Sequence, residues 1–268
     1  MKRMSFLTPA LSLLLVWLMA SPAAADPWSI FGRRTERGSG DIVTEEREAD
    51  QFERIRLACS ADLTITFSDH YKVTVTTDDN LQDNIFTEVV GRRTLLVDVE
   101  DSFRSRRGVL VEITMPVLKQ LEVDGSGDVE IKSMKTEALE IELDGSGDIE
   151  FDGEIGDLEI TVSGSGDITA YDLTAEEVRI TIRGSGDIEL QGTAQTMDCA
   201  VHGSGSIKAR RLLADRVDVR VHGSGDISVY AESAFDGGVY GSGDIDVYGN
   251  PEDMQRHVAG SGDINRRR

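Results

Sequence analysis

The sequence predicts an all-β chain, a right-handed parallel β-helix or solenoid of about eight coils of 19–20 residues. The tetrapeptide Gly-Ser-Gly-Asp, usually followed by Ile, starts at Gly125, Gly145, Gly164, Gly184, Gly203, Gly223, Gly241 and Gly260, in steps of 18–20 residues. That period is too short for paired helices and fits one coil of a stacked array. Apolar and polar residues alternate on both sides of every copy, the pattern of a strand with one buried face.

At the start, Lys2 and Arg3 precede an apolar run from Leu11 to Ala20, and Ala23-Ala24-Ala25 supplies small residues for cleavage. These are the parts of a secretory signal peptide, expected over 1–25. No second apolar run follows, so no membrane span is expected after cleavage. Residues 26–41, with Pro27, Trp28 and Phe31, read as a flexible leader, and a lone copy of the tetrapeptide stands at Gly38–Asp41.

Residues 42–265 read as a single solenoid domain. Its first part, 42–115, alternates without the repeat, as in Leu63-Ile65-Phe67, Val73-Val75 and Leu95-Val97-Val99. Irregular coils and antiparallel hairpins that cap the array are expected there, with one helical turn near Leu81 and Ile85.

From 116 to 265 the array is regular. Two and four residues before each copy stand inward-facing pairs such as Leu143 and Ile141, Val162 and Ile160, Ile182 and Ile180. After it come Val129, Ile149, Ile168, Ile188, Ile207, Ile227, Ile245 and Ile264. A third apolar position, at Met134, Leu173 and Leu212, marks a less regular third side. Stacked coils about 4.8 Å apart bury these rows in one core roughly 34 Å long. Arg256 falls on an inward position of the last coil, and Arg266-Arg267-Arg268 reads as a basic tail that ends the array.

The repeated turns are assigned a corner-forming role. Their residues are Gly125, Gly127 and Asp128; Gly145, Gly147 and Asp148; Gly164, Gly166 and Asp167; Gly184, Gly186 and Asp187; Gly223, Gly225 and Asp226; Gly241, Gly243 and Asp244; and Gly260, Gly262 and Asp263. The fifth copy reads Gly203-Ser204-Gly205-Ser206. Glycine suits a sharp corner by accepting positive φ and by letting stacked backbones approach closely. Ser and Asp can bond turn amides. Asp residues about 5 Å apart repel, and turn amides are the expected offset; bound Ca²⁺ is the alternative, with no other cofactor expected.

The chain carries 28 basic and 49 acidic residues, a net charge of −21. Nucleic acid and anionic membrane surfaces are disfavoured as partners. Cys59 and Cys199 are the only cysteines, so there is no disulfide scaffold. Both fall on inward positions, and an oxidising compartment would allow a bridge between them. No dinucleotide fingerprint, phosphate loop or nucleophile elbow occurs. His202 and His222 each precede a turn in consecutive coils. An exposed stack is expected there, with a two-histidine metal site as the alternative.

Together, Glu45-Glu46-Arg47, Phe52, Ile55, Ser60-Ala61-Asp62-Leu63-Thr64-Ile65 and the repeated coils resemble the bacterial autotransporter-adhesin "head GIN" domain, a domain of unknown function. The resemblance covers roughly residues 42–265 and implies a right-handed β-solenoid in the cell envelope. The expected protein is exported to the periplasm, cell surface or medium. It presents a non-enzymatic surface for binding or adhesion to a protein or glycan. A glycan-cleaving enzyme of the β-helix type is the alternative.

Overall fold

A computed structural model describes residues 35–100 and 102–268. The expected signal peptide and the leader up to residue 34 lie outside the described residues. The strands Val129–Leu143, Ile149–Val162, Ile168–Ile182, Ile188–Val201, Ile207–Val221 and Ile227–Val239 pair in sequence order, all parallel. Each makes almost a full coil, because alternation continues around the bends and keeps one face inward. The chain is therefore a parallel β-solenoid.

The turn count is seven, not the expected eight. The eighth corner, at Gly260, is followed only by the short strand Ile264–Arg266, which pairs with Ile245–Gly249. The tail expected at 266–268 is partly strand, and Arg267 Nε donates to Asp246 Oδ1 at 2.9 Å.

Stacking produces continuous internal columns. Val129, Ile149, Ile168, Ile188, Ile207, Ile227 and Ile245 pair in register, and none is more than 2 % exposed. The third side is more regular than expected. Met134, Leu173 and Leu212 are buried, followed by buried Leu139, Leu158, Val178, Met197, Val217 and Phe235. The register shifts between Ile131 and Met134, and again between Ala170 and Leu173, making a bend in each coil. This bend is where left-handed backbone occurs in the array: Ser133 (φ 54), Gly153 (φ 146), Asp172 (φ 48), Gly192 (φ 137) and Gly249 (φ 88).

Near the C-terminal end, Gly237 takes the place of an aliphatic residue in the inward row, and the Phe235 ring lies over it. A Cβ there would sit 2.4 Å from that ring. Beyond it, Arg256 and Val258 are exposed, because only one neighbouring coil packs on their row.

The opening segment is tied to the array and closed by antiparallel strands. Arg54–Leu57 lies parallel to Gln120–Val123, and Asp62–Phe67 parallel to the start of Val129–Leu143. Ile42–Arg47 and Leu110–Met115 flank Lys72–Asp78 on either side, both antiparallel. Ile85–Val90 and Thr94–Val99 form an antiparallel pair. The expected helical turn is a 3₁₀ helix, Asp79–Asn84, that buries Leu81.

The leader expected to be flexible through residue 41 is held from Glu36 onward. Glu36–Arg37 pairs with Phe103–Arg104, and Gly38 N donates to Arg104 O at 2.9 Å. Asp78, Asp79 and Asn80 supply acceptors for the Gly-Ser-Gly stretch that follows. The early tetrapeptide copy is thus a loop anchored on a capping turn, outside the solenoid corners.

Candidate functional site

The corners explain the repeat in a way the sequence did not make plain. None of their glycines has positive φ. From Gly145 onward, each first glycine lies over the carbonyl oxygen of the first glycine one coil earlier, which accepts the N–H of the following serine. Ser165 N donates to Gly145 O at 3.1 Å, for example. A Cβ on any of the first glycines would fall 1.7–2.0 Å from the oxygen beneath it, and on any of the second glycines 1.8–2.1 Å. Close backbone stacking is the whole reason for glycine here; the positive-φ reason expected from the sequence is wrong.

The same geometry reveals a further corner outside the Gly-Ser-Gly-Asp copies. Gly125 and Gly127 stack on Cys59 and Ala61, so Cys59-Ser60-Ala61-Asp62 forms the first corner. No Gly-Ser-Gly-Asp corner lies beneath it: Ala58 N and Asp62 N instead donate to Val97 O and Val109 O of two separate strands. Side chains at Cys59 and Ala61 are therefore tolerated. The signal was Ser60-Ala61-Asp62-Leu63, a Ser-Gly-Asp-Ile with two small changes.

The aspartates form a ladder of directed hydrogen bonds. Asp62 Oδ1 accepts Asp128 N at 3.1 Å, Asp128 Oδ1 accepts Asp148 N at 3.0 Å, and Asp148 Oδ1 accepts Asp167 N at 2.9 Å. Asp187 N and Ser206 N continue the pattern at 2.7 and 2.8 Å, and Asp226, Asp244 and Asp263 resume it. Each carboxylate thus accepts the amide one coil ahead. Lys208 Nζ meets Asp187 Oδ2 at 2.7 Å beside the break at Ser206. The corner serine hydroxyls make no hydrogen bond among the described residues; only their amides take part. No group of three or more His, Cys, Asp or Glu among the described residues is arranged to hold a metal ion.

His202 and His222 stack with centroids 4.8 Å apart at 10°, and Tyr240 continues the stack at 4.9 Å. All three rings are exposed on one corner column. Cys59 and Cys199 are both free and buried. Cys199 lies between Ile180 and Val219, several coils from Cys59 in the first corner. Burial pushes both thiols up, that of Cys199 furthest, which leaves them poor nucleophiles.

The most developed outer surface runs along the third side. Glu140, Glu159, Arg179, Asp198, Asp218 and Asp236 stand in one axial row. Beside them run Ala138, Asp157, Glu177, Thr196 and Arg216. Between these rows lie two depressions of about 440 and 350 Å³, floored by Leu139 in the first and by Met197, Val217 and Phe235 in the second. The carboxylates crowd one another. Burial raises the pKa of Glu140, and a hydrogen bond with Glu142 and the charge of Glu159 raise it further. Burial likewise raises Glu122 and Asp218, against the lowering effects of Arg56 and Arg220. A face that holds carboxylates this close is suited to hydroxyl and cationic groups repeated along an extended ligand.

A family model described as "Putative auto-transporter adhesin, head GIN domain" matches residues 51–190 and 156–251. Among solved structures, a "putative lipid binding protein" from Parabacteroides distasonis is 32% identical, with a TM-score of 0.81 over 88% of this chain and 100% of that one. A "putative adhesin" from Parabacteroides merdae shares the fold at 22% identity and a TM-score of 0.79, covering 87% and 98% of the two chains. Another, from Bacteroides fragilis, is 26% identical with a TM-score of 0.67 over 86% and 99%. No curated protein matches the chain.

Proposed function

The chain belongs to the auto-transporter adhesin head GIN domain family, and on that premise we propose that it is an exported, non-enzymatic β-solenoid presenting a binding or adhesion surface in the cell envelope. The observation that carries this reading is the axial acidic face, with its two aligned depressions. Its spacing is set by the coil stack, so carboxylates recur every ~4.8 Å on either side of Arg179. An extended glycan or polypeptide chain lying along the axis would meet repeated acceptors on a rigid support. The interior is filled by stacked aliphatic side chains that are almost fully buried, which favours engagement on the outside. The adhesin descriptions of related structures agree with a surface role.

The test is a glycan and protein array probed with the mature chain, beginning at Asp26. Binding that is lost in the double variant E140Q/E159Q supports this face as the site. Binding that survives that variant and a matching D198N/D218N variant overturns it.

A specific observation favours one second reading. Glu140, with a raised pKa, is a cross-strand neighbour of Glu159 in the larger depression, and a pair of facing carboxyl groups is the machinery of glycoside hydrolysis. New reducing ends from a polysaccharide panel, abolished by Glu140→Gln, would establish that activity in place of simple binding.

A further inference from the structure

Away from the acidic face, the N-terminal cap sets arginines side by side. In the ribbon of Glu36–Arg37 and Phe103–Arg104, Arg37 stands directly opposite Arg104. Like charges opposed across a strand pair are destabilising, and this ribbon is only two residue pairs long. Among the described residues, Arg37, Arg104 and Arg106 have no carboxylate within ion-pair distance. The chain carries a net charge of −21, yet among the described residues the lining at this spot holds three arginines and one acid.

These three arginines line one pocket of about 340 Å³, together with the Gly38–Gly40 loop, Asp78 and Ser105. That is within the size range of small-ligand sites, which begins at roughly 300 Å³. Asp78 is the one acid in the lining, and both its oxygens are engaged. Oδ1 accepts Gly40 N–H at 2.7 Å and Oδ2 accepts the Ser105 hydroxyl at 2.6 Å, with the residue 2 % exposed. These bonds hold its carboxyl below the usual range, so it stays charged while it fastens the loop. Glu36, the neighbouring acid, accepts from Asn80 Nδ2. The pocket lining therefore keeps more positive than negative charge.

Guanidinium forks pair with planar carboxylates and with phosphates. A single carboxylate serves one fork well, whereas a tetrahedral oxyanion offers several faces. We propose that Arg37, Arg104 and Arg106 bind a phosphate-type oxyanion, free or carried as a headgroup. Such an anion between Arg37 and Arg104 would turn their mutual repulsion into attraction and fix the ribbon against the cap. This site is separate from the acidic face, so either proposal can fail without the other.

The experiment measures thermal unfolding and calorimetric titration of the mature chain with inorganic phosphate, against chloride at matched ionic strength. The expected result is a melting temperature that climbs with the logarithm of phosphate concentration, as for any ligand of the native state, and saturable binding at one site. R37Q/R104Q, and R106Q separately, should weaken that binding at least about tenfold, a loss of roughly 1.4 kcal/mol, while R211Q on a distant coil leaves it intact. In chloride, R37Q/R104Q should melt no lower than the parent, since it removes a like-charge pair; this keeps a folding defect distinguishable. Pelleting with phosphatidylcholine vesicles containing phosphatidic acid, lost in R37Q/R104Q, assigns the oxyanion to a lipid headgroup. Phosphate binding without pelleting assigns it to a soluble ligand. Absence of both, or phosphate binding unchanged in both R37Q/R104Q and R106Q, overturns the proposal.

Discussion

Replacing Gly166 by alanine tests the account of the corners most sharply. The added Cβ would stand 2.1 Å from Gly147 O and 3.0 Å from Gly147 C. An unstrained C···O approach is about 3.3 Å, so the corner must lift by roughly 1 Å at a coil spacing of about 4.8 Å. Such a lift breaks the bond from Ser165 N to Gly145 O, now 3.1 Å, and that from Asp167 N to Asp148 Oδ1, now 2.9 Å. Two lost hydrogen bonds cost about 0.5–1.5 kcal/mol each, and overpacking adds about 1–3 kcal/mol. The expected destabilisation is about 2–6 kcal/mol, measured as a lower urea midpoint. Asparagine separates sterics from backbone conformation, because it tolerates left-handed φ better than other side chains do. Gly166→Asn should be as damaging as Gly166→Ala, whereas Gly91→Asn should be mild, since Gly91 has φ +52 and open space around it. A Gly166→Ala cost below about 0.5 kcal/mol, the range of a bland surface change, would refute the stacking argument, as would full rescue by asparagine.

Ile188, fully buried between Ile168 and Ile207, should cost about 2–5 kcal/mol as Ile188→Ala; Ile188→Asp should expose the adjacent coils to hydrogen exchange. Because Asp148 acts as an acceptor for the coil ahead, Asp148→Asn should melt near the parent while Asp148→Ala loses about 1 kcal/mol. Excess chelator and millimolar Ca²⁺ should then give the same melting temperature; a large rise with Ca²⁺ that Mg²⁺ does not reproduce would replace the amide ladder with a cation site. Glu140 has a folded-state pKa above its usual value of 4.5, so the folded chain binds the extra proton and stability rises as pH falls through that window. Glu140→Gln should therefore stabilise by about 0.2–1 kcal/mol at neutral pH, and melting curves taken at decreasing pH should show the gain shrinking below the raised pKa.

The solenoid was legible because stacking repeats one environment many times. A residue such as Ile168 has the same neighbours as Ile188, so selection writes the same letter at a fixed interval, and alternation then assigns the faces. The reason for Gly166 was less legible: a corner glycine looks the same whether it serves φ or close approach, and only coordinates distinguish them. Cys59 and Ala61 escaped the repeat because the steric demand for glycine comes from the corner beneath, and no such corner underlies them. The eighth copy implied an eighth coil, although a corner marks where a coil begins and does not supply its sides. The acidic row stands five residues before the first glycine of each corner, from Glu140 to Asp236, so its alignment follows the period, but nothing in the period says that those outward residues line a depression. The arginine pocket joins Arg37 to Arg104 and Arg106 across the non-repeating cap, where no period operates.

The two ends of the array also differ in how they would yield to force. At the N-terminal end, Lys72–Asp78 is gripped on both sides by antiparallel partners. At the other end, Asp253–Val258 is bonded to one coil only. Tension applied at the C-terminus would open bonds one after another, whereas the clamped end must break many together. Peeling should therefore proceed coil by coil from the C-terminal side. Each step would release one repeat of 18–20 residues, or roughly 60–70 Å of extended chain. A chain built this way would lengthen under a tugging partner in even increments, dissipating the load while its clamped end stays folded.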